Sequence, residues 1–329
     1  QKVLPTIISE FQNGYIKDRY IGFNIRTIVD IINFSNSEHK DCLIAFLDFE
    51  KAFDQLKWSF IDQTLTAFNF GPFFKSVVKT MYTNVSGCVT NYGYSSEFFQ
   101  IERGIRQGCP LSARLFILAV EILSIKITTS PTIKGITISY NEIKLTQLAD
   151  DTTLFLKNTQ SLHNSFELIN DFHKCSGQKL NYSKTEVLPI NTQIELNNAD
   201  VKVVEKSQSL GIVYFDNIET IVNENYAAKY IELEKTLTNW KKRKLTILGK
   251  NTVIKTLIVP KVNFLKSNLT TPEWFVKDVQ TLIYNFLWED NHPKIKNQII
   301  TNTMEMGGSR FPIIDLLVKS QMVAWIGCI

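Results

Sequence analysis

Apolar residues recur at helical spacing over residues 20–33, where Ile21, Ile25, Ile28 and Ile32 fall on one face. The pattern then changes. CLIAFLDF at 42–49 is an almost unbroken apolar run ending in an acid, as expected of a strand covered on both faces. Helical periodicity returns over 58–70 and is expected to stop at Gly71-Pro72. Strand-like pieces around polar turns occupy 87–104. A helix is expected over 112–127, with Ser112 as its N-cap. Residues 135–157 read as successive short strands, with one turn at Asn141-Glu142 and the next at Asp150-Asp151. An amphipathic helix over 162–177 ends on Gly177. Elements mixed in this way predict an α+β domain built on an antiparallel sheet. After about residue 220 the character changes, and 223–257 reads as long helices.

The turn at Asp150-Asp151 raises a question, because adjacent carboxylates repel each other and here lie between two apolar runs, LTQL and TTLFL. A third acid, Asp48, ends the apolar run at 42–49. Like charges near one end of a sheet are costly unless something positive lies between them. Hard oxygen ligands select Mg²⁺, which usually completes its shell with water and substrate phosphates. Two such ions about 3.5–4 Å apart serve in-line phosphoryl or nucleotidyl transfer. Taken alone, Ala-Asp-Asp is also what a solvated turn looks like, so the weight rests on the combination.

Composition changes this picture little. The 329 residues are 44% hydrophobic, enough for a real core and for two domains. Cys42, Cys88, Cys109, Cys175 and Cys328 include no CxxC pair, which excludes a zinc ribbon and a redox pair. Their odd, scattered set suits reduced thiols inside a cell. His173 and Cys175 lie close, but two ligands do not make a metal site. The longest apolar stretch, 115–127, is broken by Glu121 and Lys126 and is too short to span a bilayer, so no membrane partner is expected. Starting at Gln1 and ending at Ile329, the chain reads as a piece of a longer polypeptide.

Charge adds more. The whole chain carries +4, yet from Lys229 to Lys266 ten basic residues face only Glu232 and Glu234. A charge run is usually a solvated face. Here Trp240 lies within it, and phosphate neutralisation would supply sequence-independent affinity for nucleic acid. LGKNT at 248–252 is not a phosphate loop, since position 244 is not Gly and Asn251 stands where Ser or Thr belongs.

Together these pieces resemble a reverse transcriptase of the non-LTR retrotransposon (LINE-type) family. LIAFLDFEKAFDQLKW (43–58), RGIRQGCPLSARLF (103–116), LADD (148–151), SGQKLNYSKTE (176–186) and SLGI (209–212) look like its palm motifs A to E, in order. FQNGYIKDRYIGFNIRTIVDII (11–32) resembles the segment before motif A, and 237–265 resembles the thumb. FLWEDNHPKIK (286–296) and MGGSRFPIIDL (306–316) resemble the region after the thumb. The resemblance implies a right-hand polymerase: a palm with partial fingers over 1–220, an antiparallel sheet backed by helices. A helical basic thumb over 221–266 and a connector-like segment over 267–329 would complete it.

It further implies that Asp48, Asp150 and Asp151 hold two Mg²⁺ ions. The backbone of Phe49 would face the incoming triphosphate. Phe53, five residues after Asp48, would screen the sugar against a 2′-hydroxyl, although a ring at a helix start is by itself ordinary core. Gln107 and Gly108 would lie at the nascent base pair, where a residue without a side chain lets the backbone approach closely. Lys184 would give a proton to pyrophosphate. Leu210 and Gly211 would grip the primer, apolar strand core being the plain alternative. Lys241, Lys242, Arg243 and Lys244 would lie along the duplex backbone. The implied partners are an RNA template, a DNA primer or target DNA, and dNTPs, with an intracellular setting, the nucleus being expected and the cytoplasm the alternative.

Three features depart from the family pattern. Leu148 replaces the usual aromatic before Ala-Asp-Asp, and Ala113-Arg114 replaces a proline-containing sequence. The N-terminal fingers strands and an endonuclease are not among these residues. The remaining readings are an inactive palm and thumb that only bind nucleic acid, and an RNA-dependent RNA polymerase or intron-maturase relative.

Overall fold

The structure, a computed structural model, describes residues 3–194, 201–289 and 291–326. The chain divides into two compact units, Gln1–Asp216 and Asn217–Ile329. Cys328 lies outside the described residues, among which the four other cysteines are unpaired.

The first unit is built on a five-stranded sheet. Its order is Lys202–Val203, Glu186–Ile190, Cys42–Leu47, Asp151–Leu156, Leu145–Leu148. Every pairing is antiparallel except that of the two-residue edge strand Lys202–Val203. Cys42–Leu47 is central and buried at all six positions, because both faces are covered. Leu43, Ala45 and Leu47 join the core formed with helices Trp58–Ala67, Ser112–Thr129 and Thr159–Ser176. On the other face, Phe46 stacks on the fully buried Tyr214, with ring centroids 5.5 Å apart. Tyr214 belongs to the hairpin Lys206–Ser209/Ile212–Phe215. The expected α+β class and antiparallel palm sheet are thus what the chain forms.

Local departures from the sequence reading have physical causes. The helix expected over 58–70 ends at Ala67, and Gly71-Pro72 begins a further helix, Pro72–Met81. Proline is at home there because its missing N–H would have no helical partner. Ser112 is not an N-cap. The helix starts in a turn already closed by the Ser112 N–H on the Cys109 carbonyl at 3.1 Å, with Leu111 in the capping place. The strands Ile136–Ile138 and Asn141–Ile143 turn at Ser139-Tyr140, two residues before the expected place, with Ser139 at φ +55°. Gly177 does end its helix, at φ +85°.

The second unit is helical. Ile218–Lys241 packs against Val259–Asn268 and Glu273–Trp288, and Ile314–Ile326 packs on the latter two, so residues after 267 share one body with those before. Among the described residues no helix is long and apolar enough to cross a membrane.

Candidate active site

Sheet register assembles the acids. Leu47 pairs with Thr152, so the next rung sets Asp48 against Asp151 across adjacent strands. Leu148 pairs with Asp151, leaving Ala149 and Asp150 as a two-residue turn. Ala149 takes a left-handed φ of +58°, as tight hairpin turns of this length require. Residues 102 positions apart in sequence (150 − 48) thereby meet at one end of the sheet.

The segment carrying Lys184 is strapped to the same end. Asn181 N–H donates to the Asp48 carbonyl at 2.8 Å, and Glu50 N–H donates to the Lys179 carbonyl at 2.9 Å. Bonds at the positions on either side leave the Phe49 amide turned away from this segment. Lys184 is exposed in the turn beyond it.

A cavity of about 560 Å³ in the same unit is lined by Tyr15, Phe53 and residues of 106–114. The carboxylates do not line it. The connection is Gly14, next to Tyr15, which abuts the Ala149 backbone. Phe53 is half-buried, stacks on Phe116 at 4.3 Å with rings 13° apart, and lines the cavity. Gln107 and Gly108 are exposed at its lip, Gly108 at φ +81° with no protein atom within 4 Å of a Cβ placed there. Arg106 and Arg114, which the sequence reading passed over within motif B, add two guanidinium groups to the lining.

A sequence model of the family described as reverse transcriptase (RNA-dependent DNA polymerase) matches residues 1–251. The chain belongs to the reverse transcriptase family. Among its relatives, the transposon TX1 uncharacterized 149 kDa protein of Xenopus laevis is 27% identical over 305 residues, 89% of this chain and 23% of that protein. The Pol polyprotein from type-2 retrotransposable element R2DM of Drosophila melanogaster is 33% identical over 168 residues, 51% of this chain and 16% of that protein. This reverse transcriptase chain thus spans under a quarter of the length of either relative. Apo telomerase from Candida tropicalis superposes with a TM-score of 0.46 at 13% identity, over 88% of this chain and 53% of that one.

The family generally uses divalent metal ions for catalysis. The carboxylates at this site are the hard oxygen donors that such ions take. Asp48, Asp150 and Asp151 form no ion pair with Lys, Arg or His among the described residues. Loss of water around the hairpin raises the pKa of Asp150, and Asp48 raises it further. Loss of water raises that of Asp151 too, with repulsion from Asp150 and then Asp48 adding to it. Among the described residues no group of three His, Cys, Asp or Glu side chains, these acids included, is arranged to hold a metal ion as it stands. An open set of this kind leaves ligand positions for water and phosphate.

Leu210 and Gly211 are not strand core. They form the two-residue turn of the 206–215 hairpin, at φ +52° and +76°. The basic segment is also redistributed. Lys250 is buried, paired with Glu289 at 2.6 Å and donating to the Leu287 carbonyl. Lys229 and Lys261 both bind Glu232, while Lys255 and Lys266 bind backbone carbonyls. Lys229, Lys250, Lys255, Lys261 and Lys266 are thus held by structural partners. Lys241, Lys242, Arg243 and Lys244 are exposed at the C-terminal end of Ile218–Lys241, where positive charge complements the helix dipole, and Arg243 stacks on Trp240 at 4.3 Å.

Sequence reading also missed Gln12. Fully buried, it accepts from the Ala149 N–H and donates to the Ala149 carbonyl. The only sign of it in sequence was its place in the segment preceding motif A.

Proposed function

We propose that this chain copies RNA into DNA within a non-LTR retrotransposon, joining deoxynucleotides to a primer 3′-hydroxyl. The observation that carries the proposal is the meeting of Asp48, Asp150 and Asp151 at one sheet end with no cationic partner among the described residues. These three residues would hold two Mg²⁺ ions, which when bound neutralise charge at the reacting phosphate and favour the ionised hydroxyl. In the reaction the primer 3′-oxygen bonds to the α-phosphorus, the bond to the β-phosphate oxygen breaks, and pyrophosphate leaves. Lys184 gives the departing pyrophosphate a proton. The outward-turned Phe49 amide donates to the triphosphate, and Arg106 and Arg114 add positive charge beside it. Phe53, braced on Phe116, fills the space a 2′-hydroxyl would need.

Gln107 and Gly108 meet the nascent base pair, Leu210 and Gly211 the primer end, and residues 241–244 the duplex phosphates. The partners are then an RNA template, a DNA primer or target DNA, and dNTPs. Action on chromosomal target DNA would call for a nuclear setting, the cytoplasm being the alternative. The test is Mg²⁺-dependent primer extension on an RNA template by the wild-type chain and by Asp48→Asn, Asp150→Asn and Asp151→Asn. Extension by the wild type alone supports the proposal. Salt-sensitive RNA binding with no extension by any form would replace it with a binding-only role, and equal use of ribonucleotides would favour an RNA polymerase.

A further inference from the structure

The segment Phe11–Gly14 runs beside the strand Leu145–Leu148. Gln147 N–H donates to the Phe11 carbonyl and Asn13 N–H to the Gln147 carbonyl, each at 2.8 Å. The segment is itself anchored. Arg19 donates to the carbonyls of Ile8, Ser9 and Gln12, and the Glu121 carboxylate accepts from Ser9 N–H and Oγ.

This anchoring delivers the Gln12 side chain, wholly out of solvent, onto the catalytic turn. Gln12 Oε1 accepts from the Ala149 N–H at 2.8 Å, and Gln12 Nε2 donates to the Ala149 carbonyl at 3.2 Å. The same Oε1 accepts from Gly14 N–H at 2.8 Å. Gly14 permits the approach, since a Cβ there would lie 2.5 Å from the Ala149 nitrogen.

Ala149 has reason to need the restraint. At φ +58° a residue with a Cβ is disfavoured, and its short apolar side chain offers no local hydrogen bond in return. Nothing intrinsic to alanine favours the left-handed turn that the two-residue hairpin demands, so hydrogen bonds from outside the hairpin have strain to hold in place. Asp150 and Asp151 are the next two residues, and a relaxed Ala149 would re-aim both.

We propose that Gln12 is a positioning residue: it locks Ala149 in the left-handed turn and thereby sets the direction of the Asp150 and Asp151 carboxylates for cation binding. The inference rests on reading these acids as metal ligands.

A double-mutant cycle on the full chain tests it. Gln12→Met keeps the side-chain length and removes all three hydrogen bonds. Ala149→Gly removes the steric objection to positive φ. Mn²⁺ binding is followed by its paramagnetic resonance, and opening of residues 147–152 by amide hydrogen exchange. Gln12→Met should weaken Mn²⁺ binding by about ten- to a hundred-fold, the range for residues that orient metal ligands. It should also speed exchange at the hairpin. Made in the Ala149→Gly background, the same replacement should do much less on both readouts.

Equal losses in the two backgrounds, or no loss in either, overturn the inference. If Gln12→Met does not fold, Gln12→Asn, one methylene short, enters the same cycle. Failure of the metal reading looks different: wild type and Asp150→Asn would bind Mn²⁺ equally, while the exchange data would still decide whether Gln12 holds the turn.

Discussion

Gly108→Ala separates what the fold asks of this glycine from what a nucleotide would ask. The replacement puts a methyl on a residue at φ +81°. Left-handed backbone costs a residue with a Cβ about 1–2 kcal/mol. No protein atom lies within 4 Å of the new methyl, so the stability loss should stop there. Two other glycines bracket the expectation. Gly93, at φ +83° and equally open, should lose the same amount on change to Ala. Gly104, at φ +87°, would bring its Cβ to 2.8 Å from the Asp54 carbonyl oxygen. Overpacking of about 1–3 kcal/mol then adds to the backbone strain, for about 2–5 kcal/mol in all. Denaturant unfolding of the three variants gives the stability scale. Single-nucleotide incorporation, normalised to folded protein, gives the functional one. If a base or sugar packs on the Gly108 backbone, kcat/KM for dNTP should fall about ten- to a hundred-fold, equivalent to about 1.4–2.7 kcal/mol. Unchanged kcat/KM would refute the nucleotide contact. A stability loss matching that of Gly104→Ala would refute the open geometry itself.

Three further outcomes are expected. Phe53→Val should raise ribonucleotide relative to deoxynucleotide incorporation by about tenfold or more, and an unchanged ratio removes the ring as a gate. Asp150→Asn should abolish extension yet raise the metal-free melting temperature at neutral pH. The sign comes from the raised carboxyl pKa: between the ordinary 3.8 and the raised value the folded state holds more protons than the unfolded, so stability falls as pH rises through that window and stays lowered above it. The gain should vanish below the ordinary carboxylate range and shrink in saturating Mg²⁺, and a melting temperature equal to wild type at every pH would contradict it. Lys242→Gln and Lys244→Gln should each flatten the log–log salt dependence of duplex binding by up to about 0.9, whereas Lys250→Gln should lower stability and leave the slope alone. A slope change in Lys250→Gln would show that the buried lysine is accessible to phosphate.

The acids were legible because their surroundings speak locally. Six apolar residues before Asp48 demand a strand buried on both faces, and two strand-like runs around Asp150-Asp151 demand a hairpin, which the structure closes one residue earlier, at Ala149-Asp150, with Asp151 already in the strand. Gly177 ends its helix for a reason contained in one residue, its freedom at positive φ. Helix Pro72–Met81 was less legible, since Gly-Pro marks an end and a beginning equally well. Ser112 looked like a cap because serine often is one, but the Cys109–Ser112 backbone turn had already placed the helix start. Leu210-Gly211 resembled strand because leucine rarely occupies a left-handed turn.

Long-range partners were beyond sequence reading altogether. Lys250 and Lys242 are alike as letters, yet Glu289 and the Leu287 carbonyl bury the first while the second stays in solvent. Gln12 reads as an unremarkable polar residue until the fold sets it on Ala149. By itself the sequence determined the strands, the main helices, the identity of the acids and the order of the motifs, because periodicity and backbone preference act over a few residues. Only the tertiary structure decided that Asp48 meets Asp151, that Phe53 is braced on Phe116, and that Gln12 holds the turn. Those outcomes depend on sheet register and close packing between residues far apart in the chain, for which no local pattern is required.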